Sequence, residues 1–140
     1  MKNIPKLLVI LILICCNSDK ISEKSIDLNN KAVHSLRSDK YSEALKYSEE
    51  AILADNKNFQ AYPIKAQVLI KQNRFHEAEE TIQKQLKIKH DFAEGWTFKG
   101  LINSLKGDQI QANQDFERRS VQLFENKWKN NIHAYQAMIL

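Results

Sequence analysis

Cys15 and Cys16 are the residues whose type and placement most plainly suggest covalent chemistry. They are the only cysteines in 140 residues, and they close a wholly apolar run from Leu7 to Ile14 that follows Lys2 and Lys6. A positive start and a short apolar stretch describe an export segment. A spanning helix needs about 20 apolar residues, so this run is too short for one. A thiol at its end points to lipid modification. Other chemistry finds little support. His34, His76, His90 and His133 are far apart, without the H-x3-H or H-E-x-x-H spacing of metal ligands. The chain has no Gly-rich phosphate loop and no G-x-S-x-G serine. The run Asp115 to Arg119 reads as the solvated face of a helix with intrahelical pairs. The expectation is a protein without catalytic residues, metal or cofactor.

The first segment resembles a bacterial lipoprotein signal, which ends L-x-x-C with a small residue before the acceptor. Leu13 stands three residues before Cys16, with Cys15 between as the small residue, whereas Cys15 would have bulky Ile14 in that place. The resemblance therefore implies a signal peptide over 1–15, cleavage before Cys16, and a lipid on Cys16. An ordinary secretory signal and an uncleaved anchor are the alternatives. Multiple acyl chains, at about 0.8 kcal/mol per buried methylene, anchor firmly. In Gram-negative lipoproteins Asp after the acceptor tends to retain the protein in the inner membrane. The residue here is Asn17, so the expectation leans to the outer membrane, within a bacterial cell envelope. Cleavage would leave no thiol for disulfide or metal chemistry. Residues 16–24 read as a lipidated, polar tether.

What could position a binding surface is a repeat. Ala44, Ala78 and Ala112 recur every 34 residues. In blocks 25–58, 59–92 and 93–126, the fourth position holds Leu28, Tyr62 and Trp96, and the eighth holds Ala32, Ala66 and Gly100. The twenty-fourth holds Ser48, Ile82 and Phe116. Small residues let two antiparallel helices cross closely, and bulky ones fill the space beside the crossing. Leu at a small position would overpack it by roughly 1–3 kcal/mol. Apolar spacing and few Gly or Pro predict helices near 25–38, 40–54, 60–72, 75–89, 93–106 and 109–125. Asp39 and Asn73 stand where N-caps belong, and Gly107-Asp108 reads as a stop followed by a start, with Gln111 completing a capping-box-like signal.

These residues resemble the tetratricopeptide repeat family, whose pattern is W-x2-L-G-x2-Y, A-x3-F, P. Trp96, Gly100, Ala112 and Phe116 make the third block the nearest match; Asn56 and His90 replace the closing proline. The resemblance implies an all-α, right-handed α-solenoid of three helix–turn–helix repeats over 25–126. The first helix of each pair would line a concave groove. Carried onto this chain, the groove residues are Asn29, Val33, Leu36 and Arg37, then Gln67, Ile70 and Lys71, then Thr97, Leu101 and Leu105. This set is apolar with a basic edge, which suits a peptide with apolar anchors. The family's carboxylate clamp is not matched: Asn29, Val33, Ile64, Glu94 and Phe98 occupy its positions.

Charge adds limits. The net charge is +4, and removing 1–15 takes Lys2 and Lys6 with it and lowers this to +2. That is no dense basic stripe for nucleic acid. Lys31, Lys65 and Lys99 share the seventh position, either as a ladder for an acidic partner or as stems that pack while their ammoniums reach water. Residues 127–140 carry a helical stripe through Trp128, Ile132, Tyr135 and Met138. They read as a capping helix, separate or merged with its predecessor, or as a face for a partner or a second copy. The expectation is therefore a lipid-anchored adaptor or scaffold for a protein or peptide. The alternative is a homo-oligomer joined through its C-terminal helix.

Overall fold

The computed structural model describes residues 20–139, with side chains described for 20–127. The export segment, Cys16, Asn17 and the side chains of the stripe from Trp128 onward lie outside the described residues. Six helices and no strand occur among the described residues: α1 Glu23–Arg37, α2 Tyr41–Ala54, α3 Ala61–Lys71, α4 Phe75–Ile88, α5 Ala93–Leu105 and α6 Gln109–Ile139. The chain is all-α, as expected. Each helix packs on the next, and α1 also meets α3, as α3 meets α5. The first helices of the pairs thus stand side by side as one layer, and α2, α4 and α6 form the other.

The small positions do what their size requires. Ala32, Ala66, Ala44, Ala78 and Ala112 are fully buried. Gly100 is buried too, and a Cβ there would lie 2.7 Å from the Phe116 ring. The aromatic at position four has a second role that periodicity does not reveal. The Tyr62 hydroxyl donates to the Asn56 carbonyl at 2.9 Å, and 34 residues on, the Trp96 indole N–H donates to the His90 carbonyl at 2.9 Å. Each ring fills a crossing and ties the preceding loop to it.

Asp39 and Asn73 are not N-caps. Both sit in the left-handed region, with φ of 56° and 58°, as does Gly107 at 86°, so a left-handed residue recurs every 34 positions. In each case the following N–H closes on a carbonyl five residues back: Lys40 on Ser35, Arg74 on Leu69 and Asp108 on Asn103, all at 2.9 Å. Asp39 and Asn73 also donate to Leu36 and Ile70. These are Schellman ends, which satisfy the last carbonyls of α1, α3 and α5. Asn and Asp tolerate this conformation better than other residues with side chains. Among the described residues only Asp108 caps a helix: its carboxylate accepts the Gln111 N–H at 3.1 Å, while the Gln111 side chain turns to Asp115.

Asp115 is the other correction. It lies not on a solvated face but at 0% exposure between α5 and α6. Its oxygens accept from Asn103 at 2.8 Å, Lys99 at 3.2 Å and Gln111 at 3.3 Å. The equivalent places one repeat earlier hold Leu69 and Thr81. A buried carboxylate without donors would cost several kcal/mol, so its three donors explain why it is tolerated. Of the two arrangements expected for the tail helix, separate or merged with its predecessor, the merged one is seen: α6 runs unbroken through residues 126 and 127 to Ile139.

Candidate functional site

The ladder lysines are committed within the fold. Lys31 pairs with Asp27 at 2.7 Å, Lys65 with Glu49 on α2 at 2.9 Å, and Lys99 with Asp115. The Asp27 carboxylate holds the Lys31 ammonium above its ordinary pKa. Snorkelling stems with internal partners replace a free basic ladder, so this face carries no unpaired cation row.

Unpaired cations occur instead on the layer of first helices. Between α1 and α3 lies a concavity of about 480 Å³, lined by Val33, Leu36, Arg37, Asp39, Tyr41, Ile64, Gln67 and Lys71. Val33, Leu36 and Ile64 are half-buried and make its apolar wall, while Arg37 and Lys71 are exposed. Neither cation has an ion-pair or hydrogen-bond partner among the described residues, although both end helices whose C-terminal partial charge suits them. The one carboxylate in the lining is engaged: the Tyr41 hydroxyl donates to Asp39 at 2.8 Å, and this bond raises the phenol's pKa.

Five of the ten expected groove residues, Val33, Leu36, Arg37, Gln67 and Lys71, thus share one concavity. Ile70 is half-buried against the core that contains Leu69 and Ile82. Asn29 is half-buried, and its Oδ1 has no donor. Thr97 spends its hydroxyl on the Ala93 carbonyl at 3.0 Å. Leu101 and Leu105 stand on α5 outside the concavity, 39% and 48% exposed. Glu94, in the first turn of α5, is exposed, and partial desolvation of its carboxyl raises its pKa from the ordinary value. Asp39 and Tyr41 enter the lining from a turn and the start of α2. A pattern restricted to first helices cannot find them, and the bulky Ile64 was notable only as a mismatch to the clamp.

A larger hollow of about 710 Å³ lies elsewhere, lined by His90, Trp96, Gln114, Glu117, Arg118, Val121 and Gln122. Its cation is already used: the Arg118 guanidinium stacks 4.9 Å from the Trp96 ring, and His90 meets the same ring edge-on at 5.4 Å. Among the described residues no cluster of three His, Cys, Asp or Glu side chains could hold a metal. No helix among them is long and apolar enough to cross a membrane.

Known proteins place this geometry in a familiar fold. A family model described as tetratricopeptide repeat matches residues 35–102. The first TPR of Spaghetti (RPAP3), bound to HSP90 peptide SRMEEVD, is similar with a TM-score of 0.71 and 20% identity, over 85% of this chain and 96% of that one. The second TPR of the same protein, bound to the same peptide, gives 0.68 and 20%, over 71% and 93%. The Arabidopsis OM64 TPR domain gives 0.70 and 19%, over 84% and 98%. No curated protein matches the chain. The likeness, at these identities, is one of fold: the chain is a tetratricopeptide-type α-solenoid.

Proposed function

We propose that this solenoid is a non-catalytic adaptor that holds a protein partner by a peptide segment in the layer of first helices. The observation that carries this reading is the concavity between α1 and α3. There, half-buried aliphatic side chains lie beside two cations that have no partner among the described residues. Solenoids present extended surfaces of this kind to partner chains. Peptide-bound neighbours of the same fold agree with it. The test is capture by cross-linking from native membranes with the parent chain and with Leu36→Glu/Leu101→Glu. A partner held by the parent and lost from the variant, with helicity unchanged by circular dichroism, supports the reading. Equal capture by both moves the site off this face.

The proposal includes a lipid anchor on Cys16 in the bacterial envelope, with Asn17 favouring the outer membrane; its support is the L-x-x-C spacing at Leu13 to Cys16. Cys16→Ser should abolish palmitate labelling and membrane partition, while Cys15→Ser keeps both. Labelling that survives Cys16→Ser contradicts the anchor.

A second reading, self-association through α6, has one observation in its favour. Val121, Leu123 and Phe124 are 53%, 47% and 71% exposed on α6. A molecular mass in solution equal to one chain, with and without residues 128–140, would exclude it.

A further inference from the structure

The charge pattern of the groove goes further, on the premise that the groove is the binding face. Position thirteen of the three repeats places Arg37, Lys71 and Leu105 at the C-terminal ends of α1, α3 and α5. Those helices stand in sequence as one layer. Position nine places Val33, Gln67 and Leu101 beside them. The row thus begins with two cations over an aliphatic wall and ends on two exposed leucines. The Schellman turns already satisfy the carbonyls at these helix ends, so an incoming anion meets the side-chain cations rather than bare carbonyl oxygens. With Asp39 counted, the lining of the concavity carries a net single positive charge, which fits one carboxylate.

We propose that the groove selects an extended segment of a partner protein bearing one carboxylate beside an aliphatic residue, followed at a set spacing by a second aliphatic anchor. The carboxylate faces Arg37 and Lys71, its aliphatic neighbour lies on Val33, Leu36 and Ile64, and the second anchor reaches Leu101 and Leu105. The spacing follows from geometry. Packed helices lie about 8–10 Å apart. The path from between α1 and α3 to α5 is one to one and a half such steps, and an extended chain rises about 3.3 Å per residue. The two anchors are therefore about three to four residues apart.

The test uses the full chain purified in detergent and fluorescein-labelled peptides with one Glu, an adjoining Leu, and a second Leu placed at increasing distance. Binding is read by anisotropy. The expected result is tightest binding at the three-to-four-residue spacing and a loss of roughly tenfold when Glu becomes Gln, as two solvent-facing charge pairs allow. Arg37→Gln/Lys71→Gln should show the same loss for the Glu peptide and none for the Gln peptide. Added salt should narrow the gap. Equal binding of the Glu and Gln peptides, with sensitivity to Leu36→Glu/Leu101→Glu retained, overturns the acidic selection and leaves the groove standing. Binding of no peptide in the series overturns both.

Discussion

The left-handed residues at 39, 73 and 107 show how one backbone need is met with three chemistries. Gly107 adopts its conformation freely, and a Cβ added there would touch nothing within 4 Å. Gly107→Ala should therefore cost about 1 kcal/mol from backbone strain alone. The reverse change, Asn73→Gly, should raise stability by up to about 1 kcal/mol, because the Asn73 side chain has no partner among the described residues to lose. Urea unfolding of the two variants checks both signs. Asp55 is a different case. Its carboxylate accepts the Ser22 N–H at 2.8 Å and the Lys57 N–H at 2.9 Å, which ties the end of α2 to the start of α1. These bonds, Ser22 first, hold its pKa below the ordinary value. A depressed carboxylate stabilises the fold fully above its unfolded pKa of about 3.9. That contribution is lost as pH falls through the lower folded value. Asp55→Ala should thus weaken the protein at pH 7, and the deficit should fade in urea titrations carried out toward pH 3. A deficit that does not change with pH would mean that the charge is not what Asp55 contributes.

Elements were legible where size repeats. The 34-residue recurrence of small and bulky positions located all six helices, with starts within two residues and the first five ends within one. Repeat packing depends on volume, and volume is read directly from residue type. Polar residues were less legible because their role depends on partners far away in sequence. Asp39 and Asn73 suit an N-cap and a left-handed helix end equally well, and only the backbone decides. Asp115 looked solvated because its donors on α5, Lys99 and Asn103, come from 16 and 12 residues away. Half of the site was legible for the same reason: Val33 and Leu36 follow the period, whereas Asp39 and Tyr41 reach the concavity through a turn. The α5–α6 pair tests this account. Asp115→Ala would leave the Lys99 ammonium, 18% exposed, without its carboxylate. It should cost about 3 kcal/mol, at the low end for a buried pair because Lys99 keeps contact with water. Replacing the whole cluster, with Lys99→Met, Asn103→Leu and Asp115→Thr, should cost much less, since no buried cation is then left behind. Equal losses in the two variants would mean that the cluster stabilises through packing rather than charge.

Across the whole molecule, the two layers divide the work. Pairing and stacking consume the cations of the seventh position and Arg118, while Arg37 and Lys71, on the layer of first helices, have no partner among the described residues. Three repeats are about the minimum for a stable array, so a bound partner should add measurable stability. The central claim is that this layer, not the last helix, meets the partner. A photo-reactive residue placed at Gln67, inside the concavity, or at Phe124, 71% exposed on α6, compares the two directly in living cells. The account predicts a discrete adduct with another protein from Gln67 and none from Phe124. Adducts from Phe124 alone, above all ones of twice the chain mass, would contradict it and make α6 the working surface.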